Sequence, residues 1–379
     1  MNVPKLRFKE FNDEWIIGKI GEFVTINSGD SPSKFEFHQQ GIPYYKVEQL
    51  NNCLKYQIET PYYINKNKIV KKGSIIFPKR GAAILLNKIR ILKFDSFFDT
   101  NIMSLTTNGI HNEFLYYYLI KENLSNIADT SSIPQLNNKH IEPYPLIYPS
   151  SLWEQEKIGQ TLALLDKKIE LQTKKIEDLK LFKKGLIKKV FSLDSLKEIY
   201  IRDMGKIVTG TTPSKENKNY WENGEFTWVT PTDIGYERDI FKSTTLLTKN
   251  GLEKGRFVPK DSVLVTCIAS IGKNAVIKVD GSCNQQINAI IPNNNYNANY
   301  IYYLMEYISP YLQSIAGTSA TAIVNKETFE SVKVKVHELH EQNKIDSLLS
   351  AIETKILLED KFLNNLFQIK KGLMQNMFV

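Results

Sequence analysis

The sequence predicts an α+β protein built as a tandem repeat: two similar globular units joined by two long antiparallel coiled-coil helices, with approximate two-fold symmetry. Three observations predict it. The stretch Glu154–Phe191 (EQEKIGQTLALLDKKIELQTKKIEDLKLFKKGLIKKVF) recurs without a gap as Glu341–Phe378 (EQNKIDSLLSAIETKILLEDKFLNNLFQIKKGLMQNMF). About 15 of roughly 38 positions are identical, more than shared helical composition produces. Both copies place apolar residues at alternating steps of four and three, the narrow seam of a two-helix coiled coil. The stretches that precede the two helices run through the same series of short motifs.

In the first helix the seam runs through Ile158, Leu162, Leu165, Ile169, Ile176 and Leu179; in the second it runs through Ile345, Leu349, Ile352, Ile356, Leu363 and Leu366. Neither copy contains Pro, and Gly is confined to Gly159, Gly185 and Gly372, so long helices are expected. Two positions per copy break the seam, Gln172 and Lys183 in the first, Glu359 and Lys370 in the second, and these align across the repeat. A polar group in a seam fixes register when it finds a partner. One antiparallel register gives both lysines an acceptor: Lys183 opposite Glu359, and Gln172 opposite Lys370. Ile176 then faces Leu366 and Leu179 faces Leu363. Registers one heptad away would set these polar groups against apolar residues, a penalty of a few kcal/mol where water is excluded.

The globular stretches repeat more weakly. GKIVTGTTPSK (Gly205–Lys215) matches GEFVTINSGDSPSK (Gly21–Lys34) with a short deletion, and VPKDSVLVT (Val258–Thr266) matches VKKGSIIFP (Val70–Pro78). NYIYYLMEYI (Asn299–Ile308) matches EFLYYYLIKENL (Glu113–Leu124), the helical element of each unit. The expected organisation is a first globular domain over 1–150, a helix over 151–192, a second globular domain over 193–337 and a helix over 338–379. The connectors held their sequence while the globular faces diverged.

Composition is that of an ordinary water-soluble protein, and 379 residues suit two domains better than one. No apolar run approaches a membrane span, and MNVPKLRFKEF is too polar for a signal peptide. Three cysteines, Cys53, Cys267 and Cys283, lack metal-binding spacing and suit a reducing cytoplasm. A net charge of +8 allows a polyanionic partner. No active site is legible and no metal site is expected. A phosphate cradle of the G-x-x-x-x-G-K-[ST] kind is absent, and so is a G-x-G-x-x-G after a strand. The adenine methyltransferase signature [DNS]-P-P-[YFW] does not occur. His337 and His340 could share a helix face but read better as a solvated helix entry.

Polar loops recur instead at equivalent places. In the first unit they carry Ser31, Ser33, Lys34, Lys46, Lys79, Arg80, Ser132 and Gln135. In the second they carry Thr211, Thr212, Ser214, Lys215, Thr230, Thr232, Ser270, Lys273, Ser319 and Thr321. Such side chains donate to phosphates and read base edges. Aromatics (Tyr44, Tyr45, Tyr220, Trp221, Trp228, Tyr236) are interleaved and are read either as part of that surface or as core. The competing reading of the whole chain is a protein-interaction scaffold that recognises no DNA.

PKLRFKEFNDEW near the N-terminus, GTTPSK opening the second unit, EQEKI and EQNKI starting the helices and KKGL near their ends give the chain its family likeness. With their duplication, they resemble the specificity subunit of type I restriction–modification systems over essentially the whole length. The first unit departs from the pattern with GDSPSK at Gly29–Lys34. The resemblance implies two target recognition domains that each read half of a split double-stranded DNA site, and helices acting as a spacer. It implies two modification subunits and up to two restriction subunits as partners. S-adenosylmethionine, ATP and Mg would belong to those partners, with no cofactor on this chain.

If the helices act as the ruler, inserting four residues, about one turn, at matching points of both should lengthen the unread gap and spare the half-sites. Methylation mapping of host DNA checks this; an unchanged gap in an active protein would exclude the helices as the ruler.

Overall fold

A computed structural model describes residues 3–51, 53–65, 69–130, 132–235, 237–316 and 322–379. Tyr236, Ser319 and Thr321 lie outside the described residues. The chain forms two compact units, one from residues 1–174 with 361–379, the other from 175–360. The globular fold of each is interleaved in sequence with one end of each long helix.

Both units contain the same three sheets. In the first unit a five-stranded sheet has the order Val24–Ser28, Ile102–Thr107, Ile75–Pro78, Arg90–Leu92, Tyr56–Gln57. Its counterpart in the second is Gly205–Thr209, Ile287–Pro292, Ser262–Thr266, Asn274–Ile277, Asp239–Ile240. A three-stranded sheet centres on Ile42–Tyr45 in one unit and Phe226–Val229 in the other, each parallel to a short strand, Phe97–Phe98 or Gly281–Cys283. A two-stranded ladder pairs Ile16–Lys19 with Pro145–Tyr148, and Lys197–Tyr200 with Lys333–Val336. The structure also removes the expected deletion. Ser28 pairs with Met103 and Thr209 with Asn288, so the two loops align without a gap from Val24 and Gly205 onward.

The apolar runs in the central strands follow from burial on both faces. Side chains alternate across a strand. Ile75 and Phe77 enter the core beneath the helix Asn112–Glu122, while Ile76 enters a smaller core with Tyr44, Tyr45 and Phe98. Val263 and Val265 likewise face the helix Ala298–Ser314, and Leu264 faces Val229 and Cys283. The helix Asn112–Glu122 is apolar nearly all round, with Phe114 through Leu119 buried, because it lies between a sheet and the long helices.

The central helix spans Leu152–Phe191 and the terminal helix Leu339–Asn376. They run antiparallel in each unit. Asp166 meets Lys370 in the first; Lys183 meets Glu353, and Lys175 meets Glu359, in the second. Of the seam positions, Ile169, Gln172, Ile176, Ile356 and Leu366 are buried, and Leu179, Lys183, Glu359, Leu363 and Lys370 are half-buried.

The expected register is corrected here. Lys183 Nζ lies 2.6 Å from Glu353 Oε1 and 2.9 Å from Glu306 Oε2, rather than pairing with Glu359. Lys370 Nζ lies 2.6 Å from Asp166 Oδ1 rather than opposite Gln172. Both lysines find their acceptor six positions from the expected one (359 − 353 and 172 − 166), nearly a heptad. The reason is a third partner. Tyr117 Oη donates to Asp166 Oδ2 at 2.6 Å, and Tyr303 Oη donates to Glu353 Oε2 at 2.8 Å. Burial and the neighbouring carboxylate push both phenols far up, so they stay protonated and donate. A cation completes each cluster: Lys55 Nζ donates to Tyr117 Oη at 3.1 Å, and Arg238 Nη1 to Tyr303 Oη at 3.0 Å. A seam lysine that joins a carboxylate already hydrogen-bonded by a tyrosine meets an oriented acceptor inside a network of charge-assisted bonds.

Lys183→Met should therefore lower stability by about 1–3 kcal/mol in denaturant unfolding. Lys175→Ala, at a half-exposed ion pair, should stay within roughly 0.5 kcal/mol. Equal small effects would show that the Lys183 cluster contributes no more than a surface pair.

Candidate nucleic-acid interface

The loops leaving the strands Val24–Ser28, Ile42–Tyr45, Ile75–Pro78 and Phe97–Phe98 converge in the first unit, and one set of hydrogen bonds holds them. Asp30 N donates to Phe98 O at 3.1 Å, Asp99 N to Tyr45 O at 2.9 Å, and Lys79 N to Asn101 O at 2.8 Å. The second unit repeats the frame with other side chains. Thr211 N donates to Cys283 O at 2.8 Å, Asn284 N to Val229 O at 2.9 Å, and Cys267 N to Gln286 O at 2.8 Å. An aromatic ring closes each from below: Tyr44 Oη donates to Asp30 O at 2.7 Å, and Trp228 Nε1 to Thr211 O at 3.0 Å.

Two glycines make the close approach possible. A Cβ on Gly29 would lie 2.1 Å from the carbonyl oxygens of Phe98 and Asp99. One on Gly210 would lie 2.1 Å from that of Asn284 and 2.3 Å from that of Cys283. Any side chain there would drive the loops apart.

The sequence-predicted residues fall on these frames. Ser31 caps the short 3-10 turn Pro32–Lys34, and its hydroxyl lies 2.8 Å from that of Ser33. Lys34 is exposed and paired with Asp30 at 3.2 Å. Lys46 follows the strand Ile42–Tyr45, and its ammonium sits 3.7 Å from the centre of the Tyr62 ring, beside Phe37. Lys79 Nζ reaches Ser28 Oγ at 3.2 Å, and Arg80, exposed, bridges to Gln135. In the second unit Thr211 and Thr212 follow Gly210, and Ser214 and Lys215 are exposed on the same loop. Thr230 Oγ1 donates to Asp233 Oδ2 at 2.7 Å and lies 2.8 Å from Thr232 Oγ1. Burial of Asp233 raises its carboxyl, but hydrogen bonds from Thr230 and Thr244 outweigh that and hold it below the usual range. Lys273 is exposed at the hairpin that returns to the strand Asn274–Ile277.

The structure decides between the two readings of the aromatics and adds a loop to each frame. Tyr44, Tyr45 and Trp228 are core residues; the polar atoms of Tyr44 and Trp228 turn to the loops, whereas Tyr45 Oη donates to Ile58 O, and Tyr220 and Trp221 are half-buried. The third loop of each frame, Asp99–Asn101 and Asn284–Gln286, was not read from the sequence. The repeat carried its signal, since FDTNI and CNQQI align between the same two strands. Arg256, exposed, donates from Nη1 to Thr209 O at 2.8 Å at the root of the second frame and was likewise missed. Among the described residues no cluster of His, Cys, Asp and Glu could hold a metal ion, and no helix is long and apolar enough to cross a membrane.

The family described as "Type I restriction modification DNA specificity domain" matches residues 12–181 and again 194–368. The type I restriction enzyme MjaIX specificity subunit of Methanocaldococcus jannaschii is 33% identical over 189 residues, 47% of this chain and 43% of that protein. The chain thus aligns with less than half the length of that relative. A putative type I restriction enzyme MjaX specificity subunit from the same organism is 23% identical over 98% of this chain and 95% of its own length. The crystal structure of the type I restriction–modification S subunit from M. genitalium has the same fold, with a TM-score of 0.65 at 17% identity over 100% of this chain and 99% of that one.

The matching frames generate a stability prediction. Asn101 N donates to Asp99 Oδ1 as Gln286 N donates to Asn284 Oδ1, yet burial pushes the Asp99 carboxyl up. A raised folded-state pKa gives stability that is present at acid pH and lost as pH rises through the folded value. Asp99→Asn should therefore stabilise the chain at neutral pH, by on the order of 1 kcal/mol, and the gain should shrink toward pH ~3. Thermal unfolding across pH reads it; a gain independent of pH would mean the carboxyl is not the cause.

Proposed function

The chain belongs to the type I restriction–modification DNA specificity family, and we propose that it is the non-catalytic subunit that reads double-stranded DNA at two short half-sites with an unread gap. One observation carries the reading. Two units present the same hydrogen-bonded loop frame with different side chains on it, as two readers of different sequences would. Exposed Lys34, Arg80, Lys215, Arg256 and Lys273 supply phosphate contacts whose strength falls with salt. Ser31, Ser33, Thr211, Thr212, Ser214, Thr230 and Thr232 offer hydroxyls to base edges, and Lys46 and Lys79 flank them.

In this reading the chain works in the cytoplasm within a type I complex. Two modification subunits transfer methyl groups from S-adenosylmethionine, and up to two restriction subunits translocate and cleave with ATP and Mg. The chain itself holds no cofactor; its task is to bring those subunits to the site.

Exchanging residues 1–150 for those of another family member should change one half-site and leave the other and the gap intact. Methylation mapping in a host that supplies the partner subunits reads the result. A change in both halves would defeat the modular reading, and a chain whose DNA affinity is insensitive to salt would defeat DNA recognition through phosphates.

A further inference from the structure

We infer that Gln285, at the tip of the loop after the strand Gly281–Cys283, reads an adenine in the half-site served by the second unit, with Thr212 as its positioning residue. The inference rests on the reading above that these loop frames face DNA.

The loop divides its three side chains between frame and tip. Asn284 is buried, its Oδ1 accepts from Gln286 N at 3.0 Å, and its Nδ2 donates to Gln286 Oε1 at 3.0 Å. Gln286 is thereby held inward. Gln285 is exposed between them. Its Oε1 accepts from Thr212 Oγ1 at 2.5 Å, and among the described residues its Nε2 has no partner. The carboxamide is therefore fixed at its oxygen and open at its nitrogen. A second lone pair on Oε1 stays available beside two free N–H donors.

That pattern matches one base edge best. Adenine presents an N6 donor and an N7 acceptor in the major groove, and a carboxamide meets both at once. Guanine presents two acceptors there, N7 and O6, and would place O6 against the glutamine oxygen. Preorganisation by Thr212 removes the need to fix the side chain on binding. The corresponding tip in the first unit is Thr100, exposed in the loop Asp99–Asn101. A single hydroxyl donates or accepts and discriminates less. The same frame with different tips accounts for half-sites of different sequence.

The test selects bound sites from a randomised duplex library, using the full chain with its modification subunits. Wild type should yield a two-part motif containing an adenine in one half. Gln285→Ala should reduce the preference for that adenine roughly tenfold or more and leave the other half unchanged. Thr212→Val should weaken the same position, since it removes the hydroxyl that orients the carboxamide. An unaltered motif with Gln285→Ala would overturn the inference, and so would equal weakening on all sequences, the mark of a phosphate contact. If wild type selected no motif, the DNA-reading function itself would fall.

Discussion

A tyrosine, a carboxylate and a lysine meet in each unit, and the rest of the architecture depends on that meeting. Tyr117 comes from the helix on the sheet, Asp166 from the central helix and Lys370 from the terminal helix; Tyr303, Glu353 and Lys183 repeat the arrangement. Three elements are tied at one point, so the globular fold cannot slide along the helices without stranding a charge. Half-buried pairs of this kind add little net stability over apolar packing, but breaking one leaves its partner uncompensated. Their effect is to decide which turn of one helix meets which turn of the other.

The tie also explains where the loop frames lie. The helix that supplies the tyrosine covers one face of the five-stranded sheet, and the smaller core of Tyr44 and Phe98, or of Val229 and Cys283, covers the other. The loops rise from that smaller core. Anchoring and presentation therefore use opposite faces of one sheet. Side chains at the loop tips can change without touching the packing that fixes the helices.

The repeat and the helices were legible in the sequence because each left a regular trace over many residues. The helical seam needs only apolar residues at steps of four and three, and the repeat needs only identity. The register was not legible. A seven-residue pattern satisfies every register one heptad apart, and what decides among them, Tyr117 and Tyr303, lies far away in the chain within a largely apolar helix. The loop residues from Ser31 to Lys34 and Thr211 to Lys215 stood out as turns, and the structure sets them on the frame. Asn284, Gln285 and Gln286 did not, because three polar residues between strands look like any connection until their hydrogen bonds are seen. Tyr44 and Trp228 stayed open between surface and core in the sequence, because each ring is buried while its polar atom faces the loops.

The first cluster restricts which first domain these helices can carry. It is assembled from segments on either side of residue 150, since Tyr117 and Lys55 lie before it while Asp166 and Lys370 lie after it. An incoming first domain is thus admitted only if it brings a phenol and a cation to the same two places. The compatibility rule between a first domain and these helices is written in a few side chains away from the loops, and any number of loop sequences can pass it.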